Sequence, residues 1–224
     1  MTYIVAENIV KQYQNGHAPV TAISDINFEI EAGEFVSIMG ESGAGKSTLL
    51  SIMGAMNAPT SGSFRVDDID IYRLKQDQRA DFRREFLGFV FQSFHLIPYL
   101  TVEENVMLPL TTVRKTGKEK KAMAENALAS VGLQGKGHRL PGQISGGEKE
   151  RVAVARAIVN QPRVLLADEP TGNLDSKTTR EIMQLLQRLN SEDMTIIMVT
   201  HSQECASYTR RILKLYDGRL VSSG

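Results

Sequence analysis

The chain has a single cysteine, Cys205, so it cannot form an internal disulfide, and nothing in its cysteine usage points to an oxidising compartment. It has no surplus of either charge. Twenty-six basic residues stand against twenty-six acidic ones, which removes the global field that would by itself draw the chain onto nucleic acid or an anionic bilayer. No apolar run approaches the roughly 18 residues of a spanning helix, and the stretch from Met1 to Val10 lacks the basic-then-apolar order of an export signal. A cytoplasmic address is therefore expected, with no nucleic acid as partner, and any membrane attachment has to come through another protein. Internal repeats and low-complexity tracts are lacking too.

What is present is the balance of an ordinary globular chain: 42% hydrophobic and 23% charged residues over 224 positions. Short apolar runs bounded by Gly, Asp or Thr read as strands at Phe35 to Met39, Gly88 to Phe91, Val164 to Ala167, Thr195 to Val199 and Ile212 to Leu215. Ile182, Leu185, Leu186 and Leu189 recur at the spacing of one helix face between the third and fourth runs, so a parallel sheet with covered faces is predicted. Thr21 to Ile30 and Ser63 to Ile71 read as strands without long intervening helices, which predicts an antiparallel flank. From about Thr101 to Asn160 the pattern is helical, with Met123, Ala127, Leu128 and Val131 on one face, and the charged stretch Arg114 to Lys121 reads as a solvated face at its entrance. The fold class expected is α/β: a P-loop core with a parallel sheet, an antiparallel β flank and an inserted helical subdomain.

Gly40-Glu-Ser-Gly-Ala-Gly-Lys46-Ser47 matches the pattern G-x-x-x-x-G-K-[ST] between a strand and the helix-like run that starts at Thr48. Glycines at 40, 43 and 45 let successive N–H groups turn inward and cradle an anion at a helix N-terminus. The loop as a whole, including Glu41, Ser42, Ala44 and Thr48, is expected to hold a nucleotide triphosphate. Lys46 should reach the β- and γ-phosphates, and the Ser47 hydroxyl should ligate Mg²⁺. A second carboxylate is then needed, and Asp168 supplies one at the end of the run Val164 to Ala167; Glu169, next to it, is placed to take a proton from an attacking water.

These features specify nucleotide hydrolysis or phosphoryl transfer and leave the class open. Ser145-Gly146-Gly147-Glu148 has capping-box spacing ahead of a helix through Arg151, Val152, Ala155, Arg156 and Ile158, which makes a second helix N-terminus suited to an anion. With Ile144 before it, the segment resembles the LSGGQ signature of ABC ATPases, and other matches follow in that family's order. Gln92, after Phe89-Val-Phe91, looks like the Q-loop glutamine, Asp175 in Asn173-Leu-Asp175 like the D-loop aspartate, and His201 in Val199-Thr-His201 like the switch histidine. Tyr13 resembles the aromatic that stacks on adenine, although a packed aromatic would have the same sequence.

The resemblance covers the whole chain and implies one ATPase domain, 1–224, with 1–92 and 159–224 as the α/β core and 93–158 as the helical subdomain. It implies ATP and Mg²⁺ as cofactors, with Gln92 joining Ser47 and Asp168 around the metal and Lys46, Gln92, Glu169 and His201 in catalysis. It also implies that a second copy completes an ATP-sandwiched dimer and that a separate transmembrane permease is the partner, placing the chain at the cytoplasmic face of a membrane. Glu148 departs from the commonest signature by adding a negative charge where a nucleotide is expected.

The stretches Ala167 to Asp175 and Gly88 to Pro98 resemble the branch that includes macrolide exporters and lipoprotein-releasing complexes, and also the ATPase of the cell-division signalling complex, which transmits force. The apolar run Phe94, Leu96, Ile97, Pro98, Tyr99 and Leu100 could wall a groove for a partner helix, and core packing would explain it equally. His95 reads as a hydrogen-bonded structural residue. A small-molecule kinase, or a soluble family member acting on ribosomes or DNA, would share the phosphate loop. The first would not require Ser145 to Glu148 or His201, and the second would usually carry two ATPase domains or a long coiled-coil insertion.

Overall fold

The computed structural model of the chain describes residues 2–16 and 18–223. Its first part is an antiparallel sheet of β1 (Thr2–Asn15), β2 (Ala18–Glu31), β4 (Ser61–Val66) and β5 (Ile69–Asp70), in the order β2-β1-β4-β5. The predicted strand Ser63 to Ile71 is interrupted: Asp67 and Asp68 turn the chain with φ of 50° and 59°, and Ile71–Arg73 form one 3₁₀ turn capped by Asp70. The second sheet contains β3 (Phe35–Met39), β6 (Leu87–Val90), β7 (Val164–Asp168), β8 (Thr195–Val199), β9 (Arg211–Tyr216) and β10 (Arg219–Ser223). Its order is β10-β9-β3-β8-β7-β6, parallel from β9 to β6 with β10 antiparallel at the edge.

Both faces of the sheet are covered at β3, β7 and β8, which is why these strands read as nearly continuous apolar runs, whereas β9 alternates between buried and exposed positions. Alternation along each strand divides the core in two. Leu165 and Ala167 of β7 and Ile196 and Met198 of β8 face a cluster shared with α6 (Ser176–Ser191) and with the helices of the middle segment. Val164, Leu166, Ile197 and Val199 face the other cluster, built with α1 (Lys46–Met53) and the antiparallel sheet. The stripe Ile182, Leu185, Leu186 and Leu189 of α6 is buried, as its spacing predicts. A further helix, α2 (Gln76–Phe86), has Phe82 as its one buried residue and gives almost no apolar signal.

The middle segment packs α3 (Val102–Met107), α4 (Gly117–Ser130) and α5 (Gly146–Ile158) together and against β6. Between Gln92 and α3 the chain has no regular structure and is held from inside by Asn105. That side chain is fully buried. Its Oδ1 accepts from the Ile97 N–H at 2.7 Å, and its Nδ2 lies within 3.1 Å of the carbonyl oxygens of Ile97, Leu100 and Thr101. Asn105→Ala would strip these backbone groups of their partner in a dry interior. We expect it to lower unfolding free energy by about 1 to 3 kcal/mol, read from urea denaturation as a lower midpoint at unchanged slope.

Candidate functional site

Strand order assembles the site. The carboxyl ends of β3, β8, β7 and β6 lie side by side, because Ile38 is level with Val199, Val199 with Asp168, and Ala167 with Val90. The phosphate loop leaves β3, His201 follows β8, Asp168 and Glu169 end β7, and Gln92 follows β6. With neighbouring strands about 4.8 Å apart, Asp168 stands only about 10 Å across the sheet from the phosphate loop.

In the loop, Gly45 has φ of 98°, and a Cβ there would lie 2.6 Å from the Ala22 carbonyl oxygen of β2, so glycine is required on both counts. Glu41, Ser42, Gly43 and Ser47 are exposed, whereas Ala44 and Lys46 are buried. The Lys46 ammonium donates to the carbonyl oxygens of Gly40 and Glu41 at 2.8 and 2.7 Å, so a fixed cation stands within the loop. Thr48 lies in the first turn of α1.

Asp168 is half-buried. Burial first, and then the neighbouring Glu169, hold its carboxyl above the ordinary range, while Lys46 opposes the shift. A carboxylate so placed gains from a cation, and the oxygen donors Ser47, Asp168 and Gln92 are the chemistry that Mg²⁺ takes. Among the described residues no three His, Cys, Asp or Glu side chains form a metal cage. Oxygen donors of this kind fit a hard cation that takes the rest of its shell from phosphate and water.

Glu169 has φ of 46°, a strained conformation for a non-glycine residue and one that concentrates at functional sites. Two hydrogen bonds hold it there: its N–H donates to Val199 O at 2.9 Å, and its carbonyl accepts from the Gly172 N–H at 3.0 Å. The carboxylate meets His201, whose Nδ1 is 2.8 Å from Oε2; the His201 side chain is 67% exposed against 17% for Glu169, so the pair reaches from the interior to the surface. Gln92 lies beside them. A Cβ on Gly172 would be 3.3 Å from Gln92 Nε2 and 3.5 Å from Glu169 Oε2, and Asn173 Nδ2 donates to the Gln92 carbonyl at 3.0 Å.

Other predicted residues lie apart from this group. Tyr13 is 41% exposed on β1 and pairs with Val20, two residues along β2 from the Ala22 that abuts the phosphate loop. Its hydroxyl accepts from Asn57, and the Lys11 ammonium stands 5.1 Å from the ring centroid. Asp175 caps α6: one oxygen accepts from the N–H groups of Lys177 and Thr178, the other from the Thr178 hydroxyl. Ser145, Gly146, Gly147 and Glu148 open α5 with the predicted capping box, Ser145 Oγ accepting from the Glu148 N–H and Glu148 Oε2 from the Ser145 N–H. A Cβ on Gly147 would lie 2.4 Å from Thr178 Cγ2, so the signature is seated on the start of α6.

Two basic residues matter more than their sequence context suggests. Lys136 forms an ion pair with Glu148, and this contact, followed by the Ser145 N–H, pulls the Glu148 carboxyl down to about 2. Arg156 donates at 2.6 Å to the carbonyls of both Phe94 and His95, two consecutive residues with positive φ, and so ties α5 to the segment after Gln92. No periodicity or spacing signals either contact. The run from Phe94 to Leu100 does not form a single groove wall: Leu96 packs on the core, Ile97 is held by Asn105, and Tyr99 is exposed. The His95 ring tilts against Phe91, with centroids 5.0 Å apart. An open cleft of about 370 Å³ lies nearby, lined by Arg83, Phe89, Phe91, Leu108 and Pro109 among others.

A lysine-bearing phosphate loop and an acidic pair two strands away along the carboxyl edge of a parallel sheet define a P-loop nucleotide-binding protein. The sequence model of the family described as "ABC transporter" matches residues 23–172. YvrO of Bacillus subtilis, an uncharacterized ABC transporter ATP-binding protein, is 46% identical over 218 residues, covering 97% of this chain and 95% of the relative. The macrolide export ATP-binding/permease protein MacB of Neisseria meningitidis is 40% identical over 222 residues, 99% of this chain but 34% of that protein. Among solved structures, a dimeric post-hydrolysis state of the ATP-binding cassette MJ0796 bound to ADP and Pi superposes with a TM-score of 0.90 at 42% identity, covering 99% of this chain and 97% of that one. The chain belongs to the ABC transporter family, as an ATP-binding subunit and an ABC ATPase.

Two substitutions separate binding from chemistry. Lys46→Ala removes the cation fixed in the loop and should abolish hydrolysis while strongly weakening nucleotide binding, measured with a fluorescent ATP analogue. Glu169→Gln keeps the shape of the side chain and should slow hydrolysis by about 10²- to 10⁴-fold, the usual contribution of a general base, with ATP binding retained. Loss of ATP binding in Glu169→Gln would point to a structural role instead.

Proposed function

We propose that two copies of this chain close head-to-tail on two ATP molecules and that hydrolysis drives a conformational change in a separate transmembrane permease. The observation that carries this reading is the presence of two phosphate-seeking helix N-termini with different neighbours. The loop leading into α1 lies among Ala22, Ile23 and Leu215, and the start of α5 lies on Leu174 and Thr178. Of the two, the first alone has a pair of carboxylates, Asp168 and Glu169, within two strand spacings, so the second is best used by a nucleotide that another copy holds. The cassette to which the chain is similar is dimeric and bound to ADP and Pi, which supports a dimer as the form that handles nucleotide.

Within each composite site the phosphate loop, residues 40–48, holds the triphosphate, and Tyr13 offers its ring to adenine. Ser47, Asp168 and Gln92 would hold Mg²⁺, which neutralises charge on the phosphates. Glu169 takes the proton of the attacking water. His201 orients the Glu169 carboxylate through its Nδ1 and extends toward the second copy. Ser145, Gly146 and Gly147 serve the partner copy's ATP, with Glu148 completing their capping box, and Asp175 sets the angle at which α6 supports them. Loss of the γ-phosphate removes the charge that joins the copies, and the dimer opens.

In this reading residues 1–92 and 159–224 act as the nucleotide-binding core and 93–158 as the arm that moves the permease. The segment after Gln92 serves as the relay, since it is tied to Asn173 on the core side and to Arg156 on the arm. No described helix is long and apolar enough to cross a membrane, so the permease would supply the attachment and place the chain at the cytoplasmic face. Similarity to MacB favours export or extraction as the work performed. A force-transmitting complex that carries no substrate would use the same ATPase residues.

The trans arrangement is tested by mixing a Lys46→Ala subunit with a Ser145→Arg subunit, each inactive alone. Both lesions then fall on one composite site of the heterodimer and the other site is whole. Hydrolysis should return to about half of the wild-type rate if the sites fire independently, and to less if they are coupled. A purified heterodimer with no activity would leave the trans arrangement unsupported unless obligatory coupling of the two sites were demonstrated.

A further inference from the structure

Glu148 is the residue of the site whose chemistry runs against its place. It sits in the first turn of α5, where an exposed carboxylate lowers the attraction of the helix N-terminus for another anion. The fold answers with a cation from elsewhere. Lys136 lies in the turn from Leu133 to Arg139, ahead of α5, and its ammonium contacts Glu148 Oε1, while Oε2 accepts from the Ser145 N–H at 2.8 Å. Glu148 is thereby bound on both oxygens, and Lys136 first and then the Ser145 N–H hold its carboxyl down at about 2.

The turn that carries Lys136 is anchored on two sides. Val102 N–H donates to Arg139 O at 2.8 Å and Glu103 N–H to Gly137 O at 2.9 Å, which fixes it to the start of α3. Arg151 Nη1 donates to Val131 O at 3.0 Å, which fixes its approach to α5. Lys136 remains about one-third exposed, so its charge is felt at the surface where α5 begins.

We infer that Lys136 is a positioning residue of the composite ATP site: it holds and neutralises Glu148, so that the N-terminus of α5 stays receptive to the phosphates of an ATP bound by a second copy of the chain. This rests on the paired-site reading above. A lysine that merely braced its own turn would be needed whether residue 148 were charged or not, whereas a neutralising lysine becomes dispensable once that charge is gone.

The test therefore uses four proteins, all carrying Glu169→Gln to retain the ATP-bound dimer: no further change, Lys136→Met, Glu148→Gln, and both. ATP-dependent dimerisation is measured by sedimentation velocity. Lys136→Met should weaken the dimer by about tenfold, since each of two sites loses a charge interaction of the size found at helix ends. Glu148→Gln should dimerise as well as its parent or better, and the double variant should recover to within about threefold of Glu148→Gln. Equal weakening by Lys136→Met with Glu or with Gln at 148, or no weakening at all, would overturn the role of Lys136 and leave the paired-site reading standing. Absence of an ATP-dependent dimer from all four would overturn that reading and the role of Lys136 together.

Discussion

The parallel hydrogen-bond ladder that runs from β3 through β8 and β7 to β6 is the constraint on which the site depends. Parallel strands in matched register must end at the same edge of the sheet, so chemistry encoded at four distant points of the chain emerges within a few strand spacings. The strands hold register because each is apolar on both faces and is packed between two separate cores. A slip of one residue would exchange the faces of a strand and withdraw its terminal side chain from the site. The packing that stabilises the fold is thus also what sets the distance from Lys46 to Asp168 and from Glu169 to Gln92.

At that edge the protein keeps groups in arrangements that would be unfavourable elsewhere. Glu169 is held in a left-handed conformation, Asp168 is half-buried beside a second carboxylate, and Lys46 is buried against backbone carbonyls. Each is sustained by neighbours: the Val199 carbonyl fixes the Glu169 backbone and His201 its carboxylate, while Lys46 partly offsets the charge of Asp168. In the reading proposed above, groups held in this way would need little rearrangement around the phosphates of a nucleotide.

Outside the sheet, the helical segment depends on polar side chains at a few points. Asn105 organises the segment before α3, Arg156 holds two consecutive strained residues after Gln92, and Lys136 balances Glu148. Each joins elements that hydrophobic packing alone would leave free to slide. Directional bonds of this kind favour discrete arrangements over continuous ones, which suits the relay proposed for this segment.

The sequence by itself determined the parts whose signal is local. Phosphate loop, strand-end acids and signature were legible because each needs particular residues at fixed spacing, and the inner parallel strands β3, β7 and β8 because double-sided burial favours continuous buried runs. The stripe on α6 was legible for the same reason. Elements that bury little were not: β1 alternates with polar residues along an irregular register, α2 buries only Phe82, and the Asp67–Asp68 turn inside an expected strand owes its form to backbone conformations that aspartate tolerates but does not dictate. The tertiary structure alone decided the pairings between distant side chains. His201 with Glu169, Arg156 with the carbonyls after Gln92 and Lys136 with Glu148 each join residues whose separation along the chain carries no information about contact, because it is the order of strands and the seating of helices that brings them together.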